Sequence, residues 1–549
     1  MHLTIFRLGV QNNGYLSESY PILLFFLGIG LFVFSRFYHL ADFPIYFFCD
    51  EAFVGAETRY LLDNGFRDGQ GRLLPMYYEK APGRWVPQIS LYLSLPVVWL
   101  WPGAVAALRS VTVVFCLFGA IATCLSIKWV EPHNRWWWLP MYFFCVTPVW
   151  FLHSRLAFET TLAVAFSSVF IGSYLLYRWR NPRYAWISLV AAISAFYSHL
   201  SGTTLIVFSL PLLALIDFRY HLKNWRSLVP ILLCGLLSLF PCIYWLVTMP
   251  NALGQQLSVM HSPLVSGTPW TAALLVSFHK WLAGLDPFYW FSEGPQNQLR
   301  HIWKGRSMIP YWSAPLVALG IISCLLSPRK PGSVLFVTCL LISVTPLLWV
   351  DSHIMRGFYI LAPLAYLVAK GANIMHSWRR AKFLAGALPM TVVALSLGYQ
   401  TLAMTREAII DAPTWYNNYG LYGLQWGSQQ LFAQAIPTYL KNHPNVTIQP
   451  STDWANGVST FPGYFLTQEY QQKLRFLSFE KIKPKPGFII PDNHVFILSN
   501  SERKKVESSG KYKAIEPQLE IQWPNGEVGF TFTALEFVDT SDESGRQLQ

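Results

Sequence analysis

Long apolar stretches separated by short polar connections run through the first 405 residues of this 549-residue chain. About 20 apolar residues in a helix cross the hydrocarbon core of a bilayer, so stretches of this kind predict membrane spans. The first, at 21–35, runs into Arg36 without a small-x-small cleavage site, so we expect an uncleaved span. The pattern predicts eleven spans, at about residues 20–38, 104–127, 137–152, 159–177, 184–198, 201–218, 227–248, 311–327, 332–350, 356–375 and 383–405.

A twelfth apolar stretch, QISLYLSLPVVWLW at 88–101, is shorter than a span and contains Pro96. Its length is typical of an interfacial or re-entrant helix. The distribution of basic residues favours the same interpretation. If the N-terminus is cytoplasmic and 88–101 does not cross the membrane, every connection on the inner side contains Lys or Arg, as the positive-inside rule requires. These residues are Arg7, Lys128, Arg135, Arg178, Arg180, Arg183, Arg219, Lys223, Arg226, Arg329, Lys330, Arg379, Arg380 and Lys382.

Composition agrees with a polytopic membrane protein. Apolar residues make up 53% of the chain and charged residues only 13%, whereas soluble proteins carry about 25% charged residues. The 23 Trp residues fit aromatic belts at the membrane interfaces. The net charge of +12 does not indicate nucleic acid binding, because the basic residues gather in short connections between spans. The eight cysteines lie almost entirely in apolar segments without metal-ligand spacing, which is typical of packed free thiols.

This topology leaves three large pieces on the outer side, namely 39–103, 249–310 and 406–549. The last piece alternates helix-like and strand-like stretches and predicts a small extracytoplasmic α/β domain after the transmembrane domain 1–405. The helix-like stretches are SQQLFAQAIPTYLKNH and FPGYFLTQEYQQKL, and the strand-like ones are NVTIQ, LRFLSF, HVFILSN, LEIQW and VGFTFTALEF. The fold class is therefore a mostly α polytopic membrane protein with a C-terminal α/β domain.

Polar residues cluster at the outer ends of four predicted connections, which are Asp50-Glu51, HSRLAFE at 153–159, SHLSG at 198–202 and DSHIMR at 351–356. Ionisable groups at the ends of spans line cavities or pathways more often than they face lipid. Each cluster also has a structural interpretation. Arg155 fits a snorkelling interfacial residue, His199 a packed histidine, and Asp351 a helix cap. Four clusters on one face favour a site.

The chemistry of these clusters is that of group transfer. A carboxylate accepts a proton from an attacking hydroxyl, and Arg, Lys and His residues bind phosphate and stabilise a departing phosphate oxygen. Glycosyl transfer from a lipid-phosphate sugar needs both functions. The sequence contains no P-loop, HExxH or GxSxG motif, which disfavours ATP-driven transport and metal-dependent hydrolysis. The alternative is a transporter or lipid flippase with outward-facing gating charges, although such proteins commonly show internal repeats. The third alternative is a non-catalytic protein that binds glycans or scaffolds a complex.

Several motifs carry a resemblance to a known family. DEAFVGAETRYLLDNGFRDGQGRLLPMYY at 50–78, HSRLAFETTLAV at 153–164, DSHIMRGFYILAPL at 351–364 and WYNNYGLYGLQWG at 415–427 are the relevant stretches. They resemble the polyprenyl-phosphate-dependent membrane glycosyltransferases of the GT-C fold, in particular family 39 and its protein O-mannosyltransferase and aminoarabinose transferase relatives. The chain departs from the family's Lys-Pro-Pro-Leu element, having EKAPGRWVPQ at 79–88 instead.

The resemblance implies roles for individual residues. The family's base is an acidic residue of the first outer loop, which corresponds to Asp50, with Glu51 as partner or alternative. A basic residue further along that loop is expected at the donor phosphate, and both Lys80 and Arg84 fit. The remaining candidates for donor phosphate or substrate binding are Arg155, Glu159, His199, His353 and Arg356. The resemblance implies no firmly required metal, although a divalent ion is compatible with it.

The function that the resemblance implies is inverting transfer of a sugar from a polyprenyl-phosphate donor to an acceptor hydroxyl. The acceptor is a glycan, a lipid or a protein of the cell envelope, and the partners include membrane lipids but no nucleic acid. The expected location is the plasma (inner) membrane, with a cytoplasmic N-terminus and the C-terminal domain outside. The sequence does not specify the sugar, the acceptor or the polyprenyl length.

Overall fold

The computed structural model describes residues 14–42, 44–265, 267, 269–294, 301–330, 332–349, 354–381, 383–417, 426–478, 493–508, 512–515 and 517–537. This part of the chain is mostly helical. Its helices are α1 (Gly14–Phe37), α2 (Cys49–Asp63), α3 (Ile89–Leu100), α4 (Val105–Val130), α5 (Leu139–Val146), α6 (Pro148–His153), α7 (Glu159–Trp179), α8 (Tyr184–Ser198), α9 (Leu200–Ile216), α10 (Phe218–Lys223), α11 (Trp225–Ser238), α12 (Phe240–Thr248), α13 (Ala252–Val259), α14 (Trp270–Ala283), α15 (Pro287–Trp290), α16 (Ser313–Leu326), α17 (Ser333–Ser343), α18 (Ile354–Gly357), α19 (Leu361–Ala381), α20 (Phe383–Arg406), α21 (Ile436–Asn442), α22 (Phe461–Phe465), α23 (Gln468–Gln472) and α24 (Asn500–Ser508).

Apolar helices occupy each of the segments predicted to span the membrane. Within the described residues, five helical stretches are long and apolar enough to cross a bilayer, namely Tyr20–Phe37, Val105–Val130, Glu159–Trp179, Trp225–Thr248 and Ile354–Ser377. Shorter apolar helices accompany them, at Ile89–Leu100, Tyr184–Ser198, Leu200–Ile216, Ser313–Leu326 and Ser333–Leu348. The chain is therefore a multi-pass membrane protein. The stretch at 88–101 forms a helix of only 12 residues, α3, as its length predicts.

Prolines divide two of the predicted spans. The segment 137–152 consists of α5 and α6, which are separated at Thr147 because Pro148 begins the second helix. The segment 227–248 consists of α11 and α12, and Pro241 lies in the first turn of α12. Proline lacks the N–H that would continue the helical hydrogen bonds, and its ring is best accommodated in the first turn of a helix.

Helix α7 lies at the centre of the helical region and packs against α4 and α8. Its contact with α4 uses small residues on both helices. A Cβ on Gly119 would lie 3.0 Å from the carbonyl oxygen of Ala165, and one on Gly172 would lie 3.0 Å from that of Ala122. Such small residues let membrane helices approach closely. The helix that begins at Glu159 is therefore held firmly by its neighbours.

The first large connection contains α2, a β-hairpin and α3. Strand β1 (Tyr77–Ala81) pairs antiparallel with β2 (Arg84–Pro87). The turn between them contains Gly83, whose φ of 70° lies in the left-handed region that favours glycine. The hairpin places Lys80 and Arg84 on neighbouring strands, close to the start of α2.

The C-terminal region forms a sheet with the order β3-β4-β7-β6, in which β3 and β4 are parallel and the other pairs are antiparallel. Strand β5 pairs with β8 separately. The strands are β3 (Thr447–Pro450), β4 (His494–Ser499), β5 (Tyr512–Ala514), β6 (Leu519–Gln522), β7 (Val528–Thr533) and β8 (Leu535–Phe537). Four of the five strand-like stretches thus form strands. The fifth, LRFLSF, makes only isolated bridges, from Leu474 and Leu477 to residues of the β3 edge.

This C-terminal region holds α2 in place. The short helix α22 packs across α2, and the ring of Tyr464 fills the space beside Gly55. Arg59 donates hydrogen bonds to the carbonyl oxygens of Tyr464 and Leu466, at 3.2 and 3.0 Å. Ser428 donates a hydrogen bond to the carbonyl oxygen of Phe47, just before α2 begins. The position of Asp50 therefore depends on residues more than 370 positions later in the chain.

Candidate active site

The two adjacent carboxylates of the first turn of α2 face different surroundings. Successive residues of an α-helix point about 100° apart, so neighbours cannot share one face. The Asp50 side chain is 21% exposed, whereas that of Glu51 is completely buried. Of the two, Asp50 is the carboxylate that a substrate can approach.

Lys80 joins Asp50 to a carboxylate from a distant part of the chain. Its Nζ lies 2.7 Å from Oδ1 of Asp50 and 3.2 Å from Oε1 of Glu159, and its side chain is only 10% exposed. Burial lowers the pKa of Lys80, but the charges of Asp50 and Glu159 outweigh it, so the pKa rises above its usual value. Lys80 is therefore a cation at physiological pH.

Glu159 is the first residue of α7, where the N-terminal end of the helix favours a negative charge. Its side chain is 4% exposed, and Oε1 accepts a hydrogen bond from Lys80. Its second oxygen, Oε2, is buried and has no hydrogen-bond partner among the described residues. A buried, unpartnered acceptor is costly, so this atom is suited to a hydrogen bond from a bound ligand.

Glu51 forms a bidentate ion pair with Arg109 of α4. Arg109 Nε lies 2.8 Å from Oε1 and Nη2 lies 2.7 Å from Oε2, and neither side chain is more than 1% exposed. Oε1 also accepts a hydrogen bond from the backbone N–H of Ala157, at 2.8 Å. Both Glu51 oxygens are engaged, so Glu51 connects α2 to α4 and to the segment before α7. The sequence predicted a partner or alternative to Asp50 at this position, and the structure gives it a buried structural contact.

Arg155, which the sequence placed at the donor phosphate, has a different environment. Its Nη1 donates to the carbonyl oxygens of Ser35 and Arg36, and its Nη2 donates to those of Tyr38 and His39. These carbonyls lie at and just beyond the C-terminal end of α1, where backbone acceptors lack helical partners. The structure therefore assigns Arg155 a capping contact on α1 where the sequence predicted a phosphate ligand.

Three further candidates, Arg84, His199 and Arg356, lie near Lys80. His199, in the connection between α8 and α9, is within electrostatic range of Asp50, Lys80, Arg84 and Arg356. Its Nδ1 accepts a hydrogen bond from the backbone N–H of Ser201, which fixes the ring at the start of α9. The cluster thus combines residues from α2, the hairpin, α7, the α8–α9 connection and α18. We call Asp50, Lys80, Arg84, Glu159, His199 and Arg356 the outer polar cluster. His353 lies outside the described residues.

Comparison with solved structures identifies the architecture. The structure of ArnT from Cupriavidus metallidurans bound to undecaprenyl phosphate aligns with 96% of this chain and 98% of its own, with a TM-score of 0.50 and 11% identity. The apo form of the same protein aligns with 94% and 98%, with a TM-score of 0.51 and 12% identity. The chain has the GT-C fold. No family model matches the chain, and no curated protein matches it.

Within the GT-C fold, the described residues offer no cluster of three or more His, Cys, Asp or Glu side chains that could hold a metal ion. The two carboxylates nearest each other in the outer polar cluster are already bridged by Lys80. This arrangement pairs the anionic side chains with a protein cation, and it is suited to binding a phosphate beside a carboxylate.

The sequence missed the role of Arg109 in this GT-C site. Arg109 lies in the first turns of a 26-residue helix that contains only one other basic residue, Lys128 near the far end. A charged residue inside an apolar span is costly unless it is paired, so its presence predicts a buried partner. The connections predicted to lie outside hold several acidic residues, however, and nothing in the sequence selects Glu51 among them.

Proposed function

We propose that this protein is an inverting membrane glycosyltransferase that uses a polyprenyl-phosphate sugar as its donor and a hydroxyl group as its acceptor. The observation that carries the proposal is the contact of Lys80 with Asp50 and Glu159 in a chain with the GT-C fold. The cluster contains a partly exposed carboxylate beside a buried cation, as acceptor activation and phosphate stabilisation require. The solved ArnT structure bound to undecaprenyl phosphate supports a lipid-phosphate donor.

The proposed topology has eleven spans, a cytoplasmic N-terminus, and the pieces 39–103, 249–310 and 406–549 outside the inner membrane. Two features support it. Glu159 begins α7, and His199 joins α8 to α9, so the turns that hold the outer polar cluster lie at one end of these helices. The connection at the other end of α7 and α8 contains Arg178, Arg180 and Arg183, as expected for a cytoplasmic loop.

In the proposed reaction, Asp50 accepts the proton of the acceptor hydroxyl while that oxygen attacks the anomeric carbon of the donor. A new C–O bond forms on one face of the sugar, and the bond from the anomeric carbon to the phosphate oxygen breaks on the other. Polyprenyl phosphate leaves with the electron pair of that bond, and the anomeric configuration inverts. Asp50 then releases its proton to solvent.

Lys80 stabilises the departing phosphate in this scheme. An ammonium group has three N–H donors. Two point at Asp50 and Glu159, which leaves one for a phosphate oxygen. Arg84 and Arg356 surround the same region and add positive charge for the donor. Glu159 keeps Lys80 in position, and its Oε2 accepts a hydrogen bond from a hydroxyl or amino group of the bound sugar.

The test is transfer of radiolabelled sugar from a panel of polyprenyl-phosphate hexoses and pentoses to cell-envelope glycolipid and polysaccharide fractions. Asp50→Asn should lower turnover at least about 100-fold, because general bases contribute roughly 10²- to 10⁴-fold. It should retain polyprenyl phosphate. The matched control is Asp63→Asn, at the other end of α2, where the side chain is 52% exposed.

Two outcomes would contradict the proposal. Turnover by Asp50→Asn within threefold of the unmodified protein removes Asp50 as the base. Movement of the lipid-linked sugar across proteoliposome membranes without any covalent product would favour the transporter or flippase alternative instead.

A further inference from the structure

A cavity lies at the other end of α7, far from the outer polar cluster. It has a volume of about 520 Å³ and is lined by Trp129, Arg180, Asn181, Arg183, Tyr184 and Ile187. These residues belong to the end of α4, the α7–α8 turn and the first turns of α8. Because α7 has 21 residues and begins at Glu159, the cavity lies roughly 30 Å from the candidate active site, about one hydrocarbon thickness away. We call it the α7–α8 cavity.

The polar side of the α7–α8 cavity offers positive charge and hydrogen-bond donors. Arg180 Nε donates to the carbonyl oxygen of Trp129 at 2.8 Å, which fixes the guanidinium at the cavity wall. The side chain of Arg183 has no hydrogen bond to any described residue, whereas its backbone N–H donates to Oδ1 of Asn181 at 2.9 Å. That contact uses the amide acceptor and leaves the NH₂ donor of Asn181. The lining contains no carboxylate. Two guanidinium groups and an amide donor favour an anion with several acceptor oxygens, such as a phosphate.

The other side of the cavity is apolar and aromatic. The rings of Trp129 and Tyr184 lie 6.3 Å apart, and Ile187 follows Tyr184 on the next turn of α8. Trp and Tyr are enriched at the level of lipid headgroups because each ring has an apolar body and a polar edge. A soluble phosphate would use only the arginines, whereas a phospholipid would use the arginines and the apolar wall.

We propose that the α7–α8 cavity binds the headgroup phosphate of an anionic phospholipid in the membrane leaflet opposite the candidate active site. Basic pockets between membrane helices are known to bind such headgroups. The lipid would connect the end of α4 to the α7–α8 turn and so stabilise the helix that carries Glu159 at its other end. The site is independent of the sugar donor.

The positive-inside rule explains basic residues in this turn without any bound lipid, and the neighbouring connection provides the comparison. Arg219, Lys223 and Arg226 follow α9 and carry the same charge, but none of them lines the α7–α8 cavity. If the arginines served topology alone, substitutions in the α7–α8 turn and in the connection after α9 would have equal effects on lipid binding. Our proposal predicts that only substitutions in the α7–α8 turn weaken it.

The experiment uses the full-length protein, purified in detergent and stripped of lipid. Cardiolipin, phosphatidylglycerol, phosphatidylcholine and inorganic phosphate are titrated separately, and retained lipid is counted by native mass spectrometry alongside a thermal-shift assay. We expect retention of the two anionic lipids and a weaker response to phosphatidylcholine. Arg183→Gln should lower the apparent affinity about fivefold, and Arg180→Gln with Arg183→Gln about 25-fold. Arg226→Gln is the matched control and should remain within twofold.

Arg183→Gln keeps the experiment informative even if Arg180→Gln disturbs folding, because the Arg183 guanidinium makes no hydrogen bond within the described residues. Equal retention of phosphatidylcholine, or equal loss in the Arg226→Gln control, would overturn the proposal. A thermal shift with inorganic phosphate as large as that with cardiolipin would reveal a general anion site and would overturn the assignment to a lipid.

Discussion

Replacement of Lys80 by methionine tests the central contact of the site, because it leaves two carboxylates without the cation that they share. At an effective dielectric constant of 20, the Coulomb attraction is about 6 kcal/mol for the pair at 2.7 Å and about 5 kcal/mol for the pair at 3.2 Å. Desolvation offsets much of this gross attraction. Removing one partner of a buried pair costs about 3–5 kcal/mol net, so we expect Lys80→Met to lower the free energy of unfolding by that amount.

A second substitution separates the electrostatic effect from a packing effect. Glu159 is the more buried carboxylate, so about half of the cost of Lys80→Met comes from its uncompensated charge. Glu159→Gln in the Lys80→Met background should therefore restore about half of the lost stability, or roughly 2 kcal/mol. Turnover should stay at least about 100-fold below that of the unmodified protein, because the phosphate still lacks its cation.

The assay is denaturant titration in mixed micelles for the four proteins of the double-mutant cycle, together with sugar transfer. The expected coupling between the two positions is favourable and exceeds about 1 kcal/mol. If Lys80→Met unfolds within about 1 kcal/mol of the unmodified protein and Glu159→Gln changes nothing in its background, Lys80 does not balance these carboxylates. Recovery of turnover in the double variant would refute its assignment to the phosphate.

Three further predictions concern neighbouring parts of the fold. Gly55→Ala would normally stabilise a helix, but a Cβ there overlaps the ring of Tyr464, so we expect a loss of about 1–3 kcal/mol by the same unfolding assay. Glu51→Gln leaves Arg109 buried without its counter-charge, so we expect the free energy of unfolding to fall by about 3–5 kcal/mol and the melting temperature to fall with it. An unchanged melting temperature would contradict the ion pair. Burial raises the pKa of Glu502 above 4.5, despite hydrogen bonds from two serines. Because the folded state then holds a proton that the unfolded state has lost, stability should decrease as pH rises from about 4.5, and Glu502→Gln should flatten that slope in hydrogen exchange of α24.

The membrane helices could be predicted well from the sequence because span length and loop charge are local properties. Segments 104–127, 159–177 and 184–198 correspond to α4, α7 and α8 with boundaries within three residues. The prolines at 148 and 241 also marked the breaks in two spans, although the sequence interpretation treated each span as continuous. Four of the five strand-like stretches predicted in the C-terminal region also form strands, because alternating hydrophobicity is likewise a local property.

The contacts between distant segments could not be predicted. Asp50, Lys80 and Glu159 were each candidates, but only the fold shows that one lysine bridges the two carboxylates. The sequence alone could not distinguish Lys80 from Arg84 as the ligand of the donor phosphate, because both are basic and they lie four residues apart near a hairpin turn. The structure buries the lysine and leaves the arginine exposed, which favours Lys80 as the phosphate ligand.

Arg155 shows that a motif alone does not determine the partner of a charged residue. The stretch HSRLAFE joins α6 to α7, and its arginine and glutamate are only four positions apart. Glu159 begins α7 and its carboxylate contacts Lys80, whereas the Arg155 guanidinium binds backbone carbonyl groups at the end of α1. Carbonyl groups at a helix end accept hydrogen bonds from a guanidinium, as phosphate oxygens also do. Only the position of α1 relative to α7 decides between the two partners.

Helix geometry resolves the adjacent carboxylates of the DE pair. Because neighbouring helical residues point about 100° apart, α2 cannot direct both acids at one substrate. Glu51 faces inward and binds Arg109, so it fixes the orientation of the first turn, and that orientation directs Asp50 towards Lys80. The consequence is that Glu51 and Asp50 should fail in different ways. Substitution of Glu51 should reduce stability and activity together, whereas Asp50→Asn should abolish transfer in a protein that still folds and binds polyprenyl phosphate.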